Sequence, residues 1–399
     1  MIDKTPMESS FRDASNDLNK YLSKELRKKQ GIFFTPRDAR MKLFEKLNDF
    51  GRTDFQRILE PSFGSGEFLH DLMEFYPSST IYGVEFNATM YEKATTNSTL
   101  SPLHLVQQDF LKWSHPDKMD LIIGNPPYFV VKDKNPACMT GRGNIFVQFI
   151  YKSIHEHLSD GGILAFVLPT SFYNCSYYEP CRSYIKEHTT ILHVETIHTH
   201  YYETNQDTMI LILKKESPSS VPPPFVFSYQ GLHTISPYAK ELSKLIENTK
   251  TLQQLGFQVK TGNVVWNQHK DQLSNDKGTL IIYSSNLVQG QLILNNLKND
   301  KKQYIQNFNG EKVTGPAILV SRGYGNKFAF NYVFIGSEYT FHGENHINVI
   351  TPMTEDAVQS IDSVLASFAN PKTLKFIQMY IGNGALSKSE LETVLPIFI

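Results

Sequence analysis

Four short apolar runs constrain this chain more than anything else in it. They end at Glu60, Glu85, Asp109 and Asn125, each in a polar residue able to hold a ligand and each parted from the next by helix-length sequence. Strand, helix and strand in repetition fold as parallel βαβ units, and open parallel sheets bind ligands at the carboxyl ends of their strands. The expectation is one rim carrying all four residues. The first run leads through Gly64-Ser65-Gly66 into a helix with apolar positions at Phe68, Leu69 and Leu72. Gly64 and Gly66 would let a ligand lie against bare backbone. Glu85 follows about 20 residues on, where a carboxylate can accept both hydroxyls of a ribose. Leu69 stands where the third glycine of a dinucleotide fingerprint would fall, which disfavours a pyrophosphate and suits a nucleoside. Asp109 could accept from an adenine amino group while Phe110 covers the ring.

The fourth run, Leu121-Ile122-Ile123, is stopped by Gly124 and two prolines. Pro126 and Pro127 have fixed φ and no N–H, so the Pro126 carbonyl has no local helix to join and can point outward. With the Asn125 amide oxygen it makes a pair of acceptors, and Tyr128 adds a flat face. That set suits a planar ring bearing an exocyclic amine. Such an amine is a poor nucleophile because its lone pair is delocalised into the ring. Acceptors on its two N–H groups, out of the ring plane, favour a tetrahedral nitrogen and free the lone pair for in-line attack. A sulfonium methyl as electrophile needs no strong base, because the proton can leave after transfer.

Asn125-Pro126-Pro127-Tyr128 resembles the catalytic signature of S-adenosylmethionine-dependent amino-methyltransferases. The order Phe34-Thr35-Pro36, then Gly64-Ser65-Gly66, then Asn125-Pro126-Pro127-Tyr128, then a long C-terminal region resembles gamma-class DNA adenine-N6 methyltransferases of the TaqI type over most of the chain. The resemblance implies an α/β fold: a Rossmann-like class I methyltransferase sheet over residues 1–224 and a C-terminal α+β target-recognition domain over 225–399. It implies S-adenosylmethionine as cofactor, held by Thr35, Glu60, Gly64, Gly66, Glu85, Asp109 and Phe110. Catalysis would rest on Asn125, Pro126 and Tyr128, with a flipped base stacked on Tyr128 and Tyr202, Tyr201 being next in line. The expected substrate is adenine in double-stranded DNA. The enzyme would then be an orphan methylase or the modification half of a restriction-modification system, with a separate endonuclease as partner. An RNA adenine-N6 or DNA cytosine-N4 methyltransferase, and an inactive DNA-binding module, are the alternatives.

The rest of the chain fills in this outline. A length of 399 residues exceeds one ordinary core. A net charge of -1 argues against a wholly basic nucleic-acid coat and leaves room for a basic cleft. The three cysteines, Cys138, Cys175 and Cys181, lack C-x-x-C spacing, so no metal or disulfide framework is expected and a reducing, cytoplasmic setting fits. No run approaches the roughly 18 apolar residues of a membrane span, and a monomer is expected. The basic stretch from Asn19 to Lys42, including Arg40, reads as a solvated helix face or a phosphate contact. Thr35 reads as a helix cap with Pro36 in the first turn. Phe129 to Gly143 reads as a loop closing over a nucleic-acid backbone. Asn144 to Leu158 reads as a helix with Asp160-Gly161-Gly162 as its exit. Pro180-Cys181, which elsewhere carries the nucleophile of cytosine-C5 methyltransferases, lies far from the proline turn and reads as structural. Lys214 to Pro224 reads as a linker. Beyond it, Trp266, Asn267, Lys270, Lys302, Arg322, Tyr324, Asn345 and His346 are the side chains expected to read base edges or grip phosphates.

Overall fold

The computed structural model describes residues 11–96, 98–100, 103–198, 207–217, 224–295, 297–298, 300–323, 329–381 and 385–399. The chain divides into two compact units, Met1–Ser228 with Leu232–Lys240, and Tyr229–Gly231 with Glu241–Ile399. The first unit is built on a seven-stranded sheet. Its strands are β1 (Arg57–Glu60), β2 (Thr80–Glu85), β3 (His104–Gln107), β4 (Met119–Gly124), β5 (Leu158–Pro169), β6 (Thr189–Ile197) and β7 (Thr208–Lys215), in the order β3-β2-β1-β4-β5-β7-β6. The first five strands pair in parallel, and β7 inserts antiparallel between β5 and β6. This is the expected Rossmann-like sheet, parallel throughout except for β7.

The continuous apolar runs follow from burial on both faces of that sheet. Leu121 and Ile123 face one layer, with Leu43, Phe44 and Leu47 of α3 (Arg37–Asn48) and Phe68, Leu69 and Leu72 of α4 (Glu67–Phe75). Ile122 faces the other, with Phe146, Val147 and Ile150 of α6 (Ile145–Lys152) and Ile185 of α7 (Glu179–His188). Two short helices, α1 (Asp13–Tyr21) and α2 (Lys24–Gln30), precede the sheet, and α5 (Ala88–Thr95) links β2 to β3. Among the described residues no helix is long and apolar enough to cross a membrane.

Several local expectations are corrected. The helix after Asn144 ends at Lys152, and the five residues Ser153–His157 form a π-helical turn. Strand β5 already starts at Leu158, so Asp160-Gly161-Gly162 is no helix exit. Leu158 pairs with Met119 and Ile163 with Leu121, and the residues between bulge out with Gly161 at φ 76°. Lys214 and Lys215 are not linker but the last rungs of β7, opposite Ile163 and Thr190 in the case of Lys214. The middle of the linker, 218–223, lies outside the described residues. A strand pair, Val226–Tyr229 with Leu232–Ile235, follows it. Its end is tied back by Ile235 N–H to the Tyr173 carbonyl (3.1 Å) and Ser236 N–H to the Phe225 carbonyl (2.9 Å). Helix α3 starts at Arg37 with Pro36 at its N-cap and no side-chain cap, which releases Thr35 for another partner.

The second unit is α+β. One antiparallel sheet orders Phe257–Thr261, Ile347–Pro352, Ala317–Ser321 and Tyr332–Ile335. A mixed sheet orders Leu273–Ser274, Tyr304–Ile305, Thr279–Ile282, Thr340–Gly343 and Val313–Thr314. Four helices between Glu355 and Thr393 complete the unit.

Arg40 departs furthest from the reading of its stretch as a solvated or phosphate-binding face: it is 1% exposed. Its Nε donates to Asp71 Oδ2 (2.6 Å), its Nη1 to the Thr35 carbonyl (2.6 Å), and its Nη2 lies 2.8 Å from Glu67 Oε2. Arg12 bridges the same two carboxylates at 2.9 Å each, and Ser15 Oγ donates to Glu67 Oε1 at 2.6 Å. The cluster ties α1, α3 and the segment before α3 to the helix that follows the glycine turn. Arg40→Ala would leave the two buried carboxylates to the half-buried Arg12 alone, so it should destabilise the protein by about 3–5 kcal/mol. Urea unfolding at neutral pH checks this, and an unchanged midpoint would show that Arg12 alone neutralises the pair.

Candidate active site

A cavity of about 370 Å³ lies at the carboxyl ends of the central strands and is lined by Glu60, Glu85, Asp109 and Asn125 together. The four strand ends read from the sequence thus share one rim. A strap, residues 30–35, forms another wall, and Gly64, Ser65, Phe110 and Phe129 are among the other lining residues.

At one end Glu85 is clamped by backbone: Gly64 N–H donates to Oε2 (2.9 Å) and Asn87 N–H to Oε1 (2.7 Å). Burial still raises its pKa, against the lowering by those donors. Gly64, at φ 58°, presents its N–H from a backbone shape that favours glycine. Gly66 does not line the cavity as expected. It sits at the N-cap of α4 with φ 87°, and a Cβ there would lie 3.0 Å from Leu100 Cδ1. Phe110 is a floor residue, 4.8 Å from Phe149 and 6.3 Å from Trp113 between ring centroids. Asp109 Oδ1 accepts from Leu111 N–H (3.0 Å). Glu60 is 2% exposed, and its Oε2 has no hydrogen-bond partner. Burial holds its carboxyl well above the usual range, and Asp71 and Glu85 push it the same way.

At the other end stands the proline turn. Asn125 Nδ2 donates to Thr35 Oγ1 (2.9 Å) and to the Phe33 carbonyl (3.3 Å), while Ser62 Oγ donates to its carbonyl (3.2 Å). The Tyr128 hydroxyl reaches both Asn125 Oδ1 and the Val167 carbonyl (2.8 Å for the latter). Its one proton serves one acceptor at a time. The Tyr128 ring stacks on Phe33 at 5.8 Å and meets Phe146 edge-on at 5.9 Å. Neither Tyr128 nor the buried Pro126 lines the cavity; Pro127 and Phe129 do. Gly31 seats the turn, since a Cβ there would fall 2.5 Å from the Tyr128 backbone nitrogen. Thr35 lines the cavity as expected; Phe129 and the other strap residues were not anticipated as lining, although Phe129 directly follows the turn and Phe33 and Phe34 precede Thr35. Tyr201 and Tyr202 lie outside the described residues.

The family described as Eco57I restriction-modification methylase matches residues 72–203. The Type II methyltransferase M.CvrRI of Paramecium bursaria Chlorella virus XZ-6E is 33% identical over 396 residues, 97% of this chain and 99% of that protein. The chain belongs to the type II methyltransferases of restriction-modification systems. The Modification methylase CviBIII of Paramecium bursaria Chlorella virus NC1A is 31% identical over 97% of this chain and 99% of its own length. A tRNA1(Val) (adenine(37)-N6)-methyltransferase of Bacteroides thetaiotaomicron is 29% identical over 123 residues, 29% of this chain and 52% of that protein.

The cofactor of this methyltransferase fold is S-adenosylmethionine, and the donor set fits it. The unpaired, buried Glu60 oxygen suits a cationic amine, the backbone-clamped Glu85 a ribose diol, and Phe110 with Asp109 a purine. The cysteine of Pro180-Cys181 is fully buried, and burial pushes its thiol pKa well up, so the methyltransferase has no thiolate nucleophile there. The loop 129–143 is pinned at its middle, with Cys138 and Met139 in the core and Thr140 N–H on the Tyr177 carbonyl (2.8 Å). Its Lys132, Lys134 and Arg142 are exposed.

In the second unit the polar clusters of the methyltransferase converge more than their spacing shows. Val264 bridges Glu344, and Asn345 N–H donates to the Val264 carbonyl (3.0 Å). Arg322 N–H bonds the His346 carbonyl, and its Nη1 the Asn345 carbonyl, each at 3.0 Å. The Tyr283 hydroxyl donates to the Lys302 carbonyl (2.9 Å). Lys301, the neighbour of Lys302, holds its Nζ 5.4 Å from the Trp266 ring and 4.9 Å from Tyr283, while Lys270 lies 5.7 Å from Trp266. Trp266, with the exposed Asn267 next to it, thus gathers Lys270 and Lys301, with Lys302 next along, while Arg322, Asn345 and His346 are tied together through backbone carbonyls and reach Val264, two residues before Trp266; Tyr324 lies outside the described residues.

Glu60 yields a test with two signs. Its folded pKa is raised, so the stability it contributes is present below the ordinary carboxylate range and is lost as pH rises through the folded value. Without cofactor, Glu60→Gln should therefore gain thermal stability over the wild type as the pH goes from about 5 to about 8. Its affinity for S-adenosylmethionine should fall about tenfold or more, the loss expected for one charge-assisted hydrogen bond. Thermal unfolding and equilibrium dialysis measure the two; unchanged binding would remove Glu60 from the cofactor site.

Proposed function

We propose that this methyltransferase is a gamma-class enzyme that methylates the N6 amino group of adenine in double-stranded DNA, with the first unit catalytic and the second reading the target. The observation that carries the reading is the Asn125 amide: its nitrogen is tied to Thr35 Oγ1 and the Phe33 carbonyl, on a turn sharing a cavity with Glu60, Gly64 and Glu85. That leaves an acceptor oxygen for a substrate amine. Support for adenine N6 also comes from the tRNA adenine-N6 enzyme among the relatives.

When bound, S-adenosylmethionine supplies an electrophilic sulfonium methyl. Asn125 Oδ1 would accept one N–H of the amine and the carbonyl of Pro126, a residue that does not itself line the cavity, the other, which would turn the lone pair toward that carbon. The cofactor, held by Glu60, Glu85, Asp109 and Phe110, would give up that methyl group to the amine nitrogen, and the surplus proton of the amine would leave to water. The Tyr128 hydroxyl, freed from Asn125 Oδ1 by the incoming amine, still has the Val167 carbonyl to bond. Tyr128 and Tyr202 are the proposed stacking partners of the flipped base, whose unstacking costs a few kcal/mol. A separate restriction endonuclease would be the enzyme's partner in the cell.

Two experiments test the reading. Asn125→Ala should keep S-adenosylmethionine binding within about threefold while lowering the transfer rate by about 10²–10³, as removal of a transition-state hydrogen-bonding group does. Nucleoside digestion of DNA methylated by the wild type should release N6-methyladenine; N4-methylcytosine would move the enzyme to the other amino-methyltransferase class. In the second unit, Lys270→Ala and Lys301→Ala should each weaken DNA binding and lower the salt dependence by about one phosphate contact. A salt slope identical to that of the wild type would place the reading head elsewhere.

A further inference from the structure

Asparagine's amide ends are nearly identical in shape, yet the proposed chemistry works with the oxygen toward the substrate and fails with the nitrogen there. We infer that Thr35 is a positioning residue for methyl transfer: through its hydroxyl it anchors the Asn125 amide nitrogen to the strap and so holds the oxygen at the reacting end. This rests on the reading above, in which Asn125 accepts from an amine.

Two acceptors hold the amide nitrogen. The Phe33 carbonyl can only accept, so, together with the Tyr128 hydroxyl that donates to Oδ1, it sets which end of the amide faces the strap: a flipped amide would set two acceptor oxygens against each other. Its bond is long, however, at 3.3 Å, beyond the usual N–H to O range, whereas the bond to Thr35 Oγ1 is 2.9 Å. Thr35 therefore supplies the shorter, stronger tether. It is 4% exposed, which limits the access of bulk water to that bond. Its own carbonyl is fixed by Arg40 Nη1 at 2.6 Å, and Arg40 is held by Asp71 and Glu67. The tether thus ends on a rigid point, and Thr35 does not spend its side chain on capping α3.

The test compares Thr35→Val, which keeps the shape and removes the hydroxyl, with Thr35→Ser, which keeps the hydroxyl. Transfer of labelled methyl from S-adenosylmethionine to duplex DNA gives the rate, and equilibrium dialysis gives cofactor affinity. The valine variant should lose about tenfold in kcat, as a loosened reacting group does. Its DNA KM and cofactor Kd should stay within about twofold of the wild type, and the serine variant should recover most of the rate. Full activity in the valine variant would overturn the inference. So would a loss of cofactor affinity matching the loss of rate, which would make Thr35 a cofactor contact alone, or a serine variant no better than valine. Nucleoside analysis separates the two ideas. N4-methylcytosine as the wild-type product sinks the adenine reading and leaves the Thr35 comparison intact, while N6-methyladenine with a fully active valine variant sinks only the Thr35 role.

Discussion

A guanidinium taken out of water has to be surrounded by oxygen, and where Arg40 finds its oxygens decides the shape of the site. Asp71 and Glu67 supply charge from α4, and the Thr35 carbonyl supplies the remaining acceptor. These groups belong to the helix behind the glycine turn and to the strap over the cavity. One buried cation therefore joins the part of the chain that faces the cofactor to the part that orients Asn125. Breaking such a cluster costs several kcal/mol, far more than a surface ion pair contributes. The strap is consequently a fixed wall rather than a loop laid over the opening, and Gly31 lets it approach the Tyr128 backbone closely enough to touch.

Within that frame the cavity keeps groups that the folded chain does not satisfy. Glu60 is buried with an oxygen that bonds to nothing, which a structure selected for stability alone would not retain. Glu85, by contrast, has its orientation fixed by two backbone donors, so a ligand there would meet a carboxylate that does not have to reorganise. The second unit shows the same division of labour. Behind its polar patch, Gln303 Nε2 donates to Asn286 Oδ1 (3.1 Å) and Asn286 Nδ2 to the Ile293 carbonyl (2.8 Å), a paired and buried network that steadies Tyr283. Over the Tyr283 ring stands Lys301, whose half-buried position leaves its charge available.

Much of this was legible in the chain because it depends on near neighbours. The apolar runs and their polar ends at Glu60, Glu85 and Asn125 mark strands because side chains alternate across a sheet covered on both faces, and Gly124 with two prolines stops a strand wherever it occurs. The class of sheet and the rim shared by Glu60, Glu85, Asp109 and Asn125 follow from that punctuation. Boundaries were less legible. Lys214 reads as linker by composition, but its backbone completes a ladder between β5 and β6, and ladder partners are set by strands far away in the chain.

Partnership at a distance is what only the tertiary structure decided. Arg40 in a basic stretch looks like a solvated charge until Asp71, 31 residues on, is brought against it. Thr35 looks like a helix cap until Asn125, 90 residues on, takes its hydroxyl. Gly66 looks like part of the ligand cradle, yet its φ serves the start of α4 while Ser65 lines the cavity. The amino-acid order determines backbone punctuation and hydrophobic period, because both arise from each residue and its immediate neighbours. It leaves open which polar group meets which, because a charge or amide is satisfied by any suitable partner, and the packing of the sheet and its helices chooses among them.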